Sequence, residues 1–140
     1  MLVYGHELAA WAQEKMPGRL GFDAPFCVGV INENQLGAVI VYDNYRPAVK
    51  SISVSIVVED KKVLTRKLLK TLFAYPFFDL QCRRIQAIID EKNNPSIKLC
   101  RQLGFAQEGI LRKASPIEGN DLLIFGMLKE ECKWLSGKTT

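Results

Sequence analysis

A chain of 140 residues, 48% of them hydrophobic, is sized for one domain with an ordinary core, and no run in it approaches the roughly 18 consecutive apolar residues of a membrane span. The start, Met1-Leu2-Val3-Tyr4-Gly5-His6-Glu7, lacks the basic-then-apolar plan of a secretory leader, so the chain reads as cytoplasmic. Four scattered cysteines, Cys27, Cys82, Cys100 and Cys132, and the lone His6 argue against zinc or a disulfide framework, while a formal charge of +4 suits an anionic ligand without pointing to nucleic acid.

In chain order, His6 to Met16 places Leu8, Ala9, Trp11, Ala12 and Met16 at loosely helical intervals, and Pro17-Gly18 stops that first helix. Cys27 to Ile31 and Leu36 to Tyr42 are β-rich runs joined by the polar Asn32 to Gln35, which predicts an antiparallel hairpin. Ser51 to Val57 alternates strictly, so Ile52, Val54 and Ile56 line one face and Ser51, Ser53 and Ser55 the other. The serine face fits a polar cleft or simple exposure to solvent. Apolar residues from Val63 to Phe73 recur at helical spacing until Tyr75-Pro76 ends or kinks the helix. Arg84 to Ile89 is a further strand. Asn93 caps a helix that runs to Leu103 and stops at Gly104. Phe105 to Leu111 and Leu122 to Leu128 are two more strands around the turn-rich Ser115 to Asn120, and residues 136–140 read as a frayed tail. Gly137-Lys138-Thr139 imitates the end of a nucleotide-binding loop, but Cys132 stands where its first glycine is required.

The run Asn93-x-x-Ser96-Ile97-Lys98-Leu99-Cys100-Arg101-Gln102-Leu103-Gly104-Phe105, followed by Glu108-Gly109-x-Leu111-Arg112, closely resembles the C-terminal half of GNAT acetyltransferases. Within that superfamily it is most similar to the branch that acetylates ribosomal-protein N-termini, and Gly119-Asn120-Asp121 and Phe125 to Glu131 resemble that branch's last strand and tail. The likeness covers roughly residues 25 to 135. It implies an α/β (α+β) fold: a central mixed, largely antiparallel sheet with one splayed parallel pair, flanked by helices. It also implies acetyl-CoA as acyl donor, its pantetheine arm entering the splay between Ile52 to Val58 and Arg84 to Ile89.

On that resemblance the cofactor site comprises Ile56, Val57 and Val58 on the strand, then Lys61, Lys62, Val63, Leu64, Thr65 and Arg66 at the start of the next helix, with Asn93 and Ser96 opposite. A helix N-terminus with free N–H groups is physically suited to a pyrophosphate. The family's phosphate loop, however, has two glycines that are missing from Asp60-Lys61-Lys62-Val63-Leu64-Thr65, and Val63 is a poor substitute for a residue that must approach a phosphate closely. The charges of Lys61, Lys62 and Arg66 compensate for that loss, or else belong to a solvated helix face together with Lys67 and Lys70.

The family's sulfur-protonating tyrosine lies seven residues after the motif asparagine, a position held here by Cys100. Cys100 is therefore the candidate acid, with packing as its bland alternative. Ser96 is a further catalytic or binding candidate, and Ser55, with Ser53, a candidate to order a water that passes a proton to Asp90 or Glu91. Backbone N–H groups near Val57 would meet the oxyanion. Tyr42, Asp43, Tyr45 and Arg46 are candidates to shape an acceptor pocket. The reading that results is an N-acetyltransferase acting on an amine-bearing acceptor, a protein N-terminus, lysine or small amine, without membrane or nucleic-acid partners. Its rival is a non-catalytic GNAT-fold protein kept for ligand or protein binding, as in a phage or regulatory assembly. Trp134 and Leu135, read as exposed, permit a homodimer.

Overall fold

β-branched and aliphatic runs in the first part of the chain pair in sequence order, and in the computed structural model they form the larger part of one seven-stranded sheet. The structure describes residues 1–16, 18 and 21–135. Its elements are β1 (Leu2–Tyr4), α1 (Glu7–Lys15), β2 (Phe26–Asn32), β3 (Gln35–Arg46), β4 (Ser51–Val58), α2 (Arg66–Ala74), β5 (Arg84–Asp90), α3 (Asn94–Leu103), β6 (Ala106–Leu111) and β7 (Leu122–Leu128). Spatial order is β1-β2-β3-β4-β5-β7-β6. The expected stop at Pro17 and the expected frayed tail, with its accidental nucleotide-loop likeness, lie outside the described residues. Among those described, no helix is long and apolar enough to cross a membrane.

All neighbouring strands pair antiparallel except β4 and β5. That parallel ladder holds only three pairs, Ser51 with Arg84, Ile52 with Ile85 and Ser53 with Gln86. Beyond it β4 continues to Val58 and β5 to Asp90, so the two strands splay apart towards their C-terminal ends. The sheet is therefore mixed and largely antiparallel with one splayed parallel pair, as the resemblance implied.

Ile52 and Val54 of β4 join the core beneath α2 and α3, built around Phe73, Phe77, Ile85 and Phe125, while Val39, Val41 and Val57 pack with Leu8 and Ala12 of α1 on the other face. Ser53 and Ser55 share that second face and are buried, so the serine face is not the solvent-exposed one. The β2–β3 hairpin closes through Glu33 and Asn34, both at positive φ (53° and 64°), the geometry that a two-residue turn between twisted strands demands.

Several boundaries differ from the sequence expectation. β1 is too short to show alternation and exists by pairing with β2. Val63 does not open α2: Lys61–Val63 is a separate 3-10 turn, and α2 starts one turn later because the Thr65 hydroxyl accepts the Leu68 N–H (3.1 Å) as its N-cap. At Tyr75-Pro76 the α-helix ends as expected, at Ala74, and the chain continues as a π turn, Tyr75–Asp79, a spacing that accommodates the proline ring and its missing N–H. Trp134 and Leu135 are half-buried against the core rather than exposed, with the indole N–H donating to Leu103 O (2.9 Å). The strand expected to end at Tyr42 runs on to Arg46, and Tyr42 and Asp43 lie buried within it.

Candidate functional site

The splay produces a narrow apolar neck. Val54, Ser55 and Ile56 form one wall and Ala87, Ile88 and Ile89 the other, with Ser96 and Cys100 of α3 and Met16 closing it. The three residues singled out as catalytic, Ser55, Ser96 and Cys100, are thus brought to one place from two elements distant in sequence. The neck adjoins a cleft of about 620 Å³ whose walls are Ile56, Val57 and Val58 of β4 and Asn93, Ser96 and Leu99 at α3. On the β5 side, among the described residues, no strand pairs with Ile56, Val57 or Val58 of β4, so that stretch of edge is open to an extended ligand.

α3 is set by local signals. The Asn93 side chain accepts the Ser96 N–H (3.4 Å), and Gly104 takes a left-handed conformation (φ 108°) that lets the Phe105 N–H reach Cys100 O (3.0 Å). This phase points Cys100 and Leu103 into the core and leaves Asn94, Lys98 and Gln102, four residues apart, along the cleft.

Of the residues expected to hold the phosphates, Lys61 and Leu64 line the cleft, whereas Lys62, Val63, Thr65 and Arg66 do not. The reason is visible in the loop. Asp60 accepts from Asn32 Nδ2 (3.0 Å) and from the Lys62 N–H (3.0 Å), and these hydrogen bonds hold its carboxyl below the usual range. The Val63, Leu64 and Thr65 N–H groups donate to Asp60 O, Lys61 O and Val63 O. Four successive amides are therefore engaged within the chain, where the resemblance implied a phosphate cradle. Val63 is buried, and a Cβ built on Gly37 would stand 2.7 Å from its Cγ1. The small residue missing from the loop is thus matched by a small residue across from it. Arg66 lies 5.6 Å from the Trp134 ring centre, packing the segment that follows β7.

Among the cleft residues that reasoning from sequence missed are Lys15, Met16, Glu59, Lys98 and Gln102. The spacing of Lys98 and Gln102 beside the apolar Leu99 and Leu103 was a readable signal. The approach of α1 to the cleft was not. Lys15 is ion-paired with Glu59 at 3.3 Å on the rim.

Burial pushes the Cys100 thiol up to about 12, only weakly opposed by Arg101. Proton transfer from it to a departing thiolate of ordinary pKa near ~8.5 would be uphill by roughly 5 kcal/mol. Its position suits lining the neck better than donating a proton. Asp90 is not a free base: it accepts from the Lys92 N–H (2.8 Å), Asn120 Nδ2 (3.1 Å) and the Ser115 hydroxyl. Burial alone would raise its pKa, but these bonds outweigh it and hold the carboxyl below the usual range. Glu91 accepts the Asp121 N–H (2.7 Å), and both carboxylates thereby anchor the β6–β7 connection. Ser53 accepts from Gln86 Nε2 (3.4 Å) across the last parallel pair. Away from the neck, the Tyr42 hydroxyl donates to Leu72 O (2.6 Å), Asp43 accepts the Asp23 N–H (3.0 Å), and Tyr45 and Arg46 are exposed.

No family model matches the chain. It is 40% identical over 62 residues to an uncharacterized N-acetyltransferase of Bacillus licheniformis, a match covering 43% of this chain and 35% of that protein. It is 33% identical over 72 residues to the SPbeta prophage-derived uncharacterized N-acetyltransferase YokL of Bacillus subtilis strain 168, covering 50% and 41%. The chain spans less than half the length of these curated relatives. Among solved structures, a mutant form of the spermidine N-acetyltransferase SpeG from Vibrio cholerae superposes with TM-score 0.76 at 15% identity over 99% of both chains. A probable acetyltransferase superposes with TM-score 0.67 at 20% identity, over 76% of this chain and 63% of that one. The fold is that of the GNAT acetyltransferases.

Proposed function

We propose that this GNAT-fold chain is an N-acetyltransferase that moves an acetyl group from acetyl-CoA directly to an amine. The observation that carries the reading is the splay: the β4–β5 ladder ends after Ser53, and the opened neck joins a cleft of about 620 Å³. The neck is lined mainly by apolar side chains, which suits the thiol end of a pantetheine arm. The unpaired β4 edge at Ile56, Val57 and Val58 would hydrogen-bond the arm's amides, opposite Asn93 and Ser96. Because the loop amides are engaged, side-chain charge from Lys61, Lys98 and Lys15 would meet the phosphates, while Lys62, Val63, Leu64, Thr65 and Arg66 hold the loop in shape.

Acetyl-CoA supplies the thioester, in which attack by a neutral amine forms a C–N bond as the C–S bond breaks. A backbone N–H near Val57 would stabilise the carbonyl oxygen as it gains charge. Ser96 and Ser55 would relay the amine proton through water towards the sulfur, with Cys100 closing the neck against bulk solvent. The likeness to a spermidine N-acetyltransferase supports a small amine as acceptor, alongside a protein N-terminus or lysine. A cytoplasmic setting suits both substrates.

A second reading, a non-catalytic GNAT-fold protein in a binding or phage assembly, is favoured by the engaged loop amides and by the thiol standing where the family has a tyrosine. One assay separates the two. Purified protein is incubated with acetyl-CoA and a panel of spermidine, lysine and N-terminal peptides, while free thiol is measured. Amine-dependent thiol release supports the transferase. Binding of acetyl-CoA without release by any amine supports the second reading, and absence of binding overturns the proposed use of the cleft.

A further inference from the structure

A second cavity, of about 590 Å³, lies on the sheet face that packs α2, between the β1 edge and that helix, and shares no lining residue with the neck or the cleft. Its walls are aromatic. Tyr4 stacks on Phe26 with ring centres 5.9 Å apart, and Phe26 and Tyr42 each meet Tyr75 at 4.9 Å. The Tyr42 hydroxyl is tied to Leu72 O, which fixes its ring, and Tyr75 is held on the π turn. Yet Tyr4 is 59% and Phe26 39% exposed, an unusual state for rings already stacked against one another.

Charge narrows the occupant. In a chain of formal charge +4, the described lining holds no cationic residue, and its single charged member is Asp79, one π turn after Tyr75. Aromatic faces and a carboxylate attract a cation and repel an anion, and the volume matches a small molecule rather than a folded partner. We propose that this groove is a binding site for a small organic cation, a quaternary or protonated alkylammonium whose charged end sits against Tyr4, Phe26 and Tyr75 near Asp79 and whose apolar body lies along Leu2 and Leu68. The proposal is independent of acyl transfer, since neither the neck nor the cleft contributes to it.

The test uses choline and its neutral isostere 3,3-dimethyl-1-butanol, in which carbon replaces the charged nitrogen. Both are titrated into the whole protein and followed by NMR through the ligand methyl protons and the tyrosine ring signals, with and without saturating acetyl-CoA. Choline methyl protons are expected to shift upfield and to perturb the Tyr4 and Tyr75 rings, binding about fivefold or more tighter than the isostere. Asp79→Asn and Tyr4→Leu, both at exposed positions, are expected to weaken choline about two- to fivefold each while Asp79→Asn leaves the isostere unchanged. Equal affinity of choline and isostere, choline binding indifferent to both substitutions, displacement by acetyl-CoA, or no choline-induced shift would each overturn it. The wild-type comparison of the two ligands needs no variant to fold.

Discussion

Four basic residues near the cleft have been separated by the structure into two kinds, and that separation is open to measurement. Lys61 and Lys98 line the cleft; Lys62 is exposed outside it, and Arg66 lies against Trp134. A lysine ammonium about 6 Å from a phosphate charge in water-like surroundings gains roughly 0.7 kcal/mol. Two such lysines then contribute about 1 to 2 kcal/mol, or about five- to thirtyfold in affinity. Calorimetric titration with acetyl-CoA at low salt should show a Lys61→Ala/Lys98→Ala protein losing that factor, and a Lys62→Ala/Arg66→Ala protein staying within about twofold of wild type. At about 1 M salt, where the screening length falls to about 3 Å, the first loss should shrink towards twofold. A Lys62→Ala/Arg66→Ala variant that loses as much affinity as the other, or a Lys61→Ala/Lys98→Ala loss that persists in high salt, refutes the assignment of the rim charges.

The remaining expectations concern the scaffold around the neck. Asp90→Asn should cost about 1 to 3 kcal/mol in urea denaturation, because three donors converge on its buried carboxylate. Since the folded carboxyl is held below its ordinary value of about 3.9, its contribution is complete above that pH and is lost as pH falls through the folded value. The stability of wild type should therefore drop below about pH 4 more steeply than that of the variant, and parallel curves would contradict this. Val63→Gly, which puts back a family glycine, should lower stability by about 1 to 3 kcal/mol and not tighten acetyl-CoA, because Val63 is core and fills the space left by Gly37; tighter binding would show that the loop amides can be released. Cys100→Ala should leave any turnover within about threefold and its pH profile unshifted, because a thiol near 12 does not titrate in the assay range. A profile that moves would restore Cys100 as a proton donor.

What the sequence disclosed depended on whether a signal was local. α3 was legible almost to the residue because its cap, its apolar phase and its stop are all short-range, and the strict alternation of Ser51 to Val57 identified β4. α2 was misplaced by one turn because Val63 fits the apolar period, yet its neighbour Asp60 captures the Lys62 N–H and holds a 3-10 turn. β1 was invisible because three residues carry no period, and its existence is a property of the β2 edge. In the site, Ser96 and Cys100 were named from motif positions and Ser55 from the serine face of its strand, and their common location follows from the splay. The contribution of Lys15 and Met16 could not be read, since it depends on how α1 lies over the sheet. The aromatic groove escaped for the same reason: Tyr4, Phe26, Tyr42 and Tyr75 are far apart in sequence and meet through strand register.

The brevity of the parallel ladder also divides the molecule in a way that proteolysis or gene fission would expose. Residues 1–58 hold four adjoining strands and residues 84–128 the other three, so a cut in the stretch between them leaves each fragment with a continuous piece of sheet. The two would be rejoined by three residue pairs and by the helices that bridge them. An acyl donor in the cleft touches β4 from one fragment and α3 from the other, and would act as glue for a split protein, strengthening reassembly in proportion to its concentration over its dissociation constant.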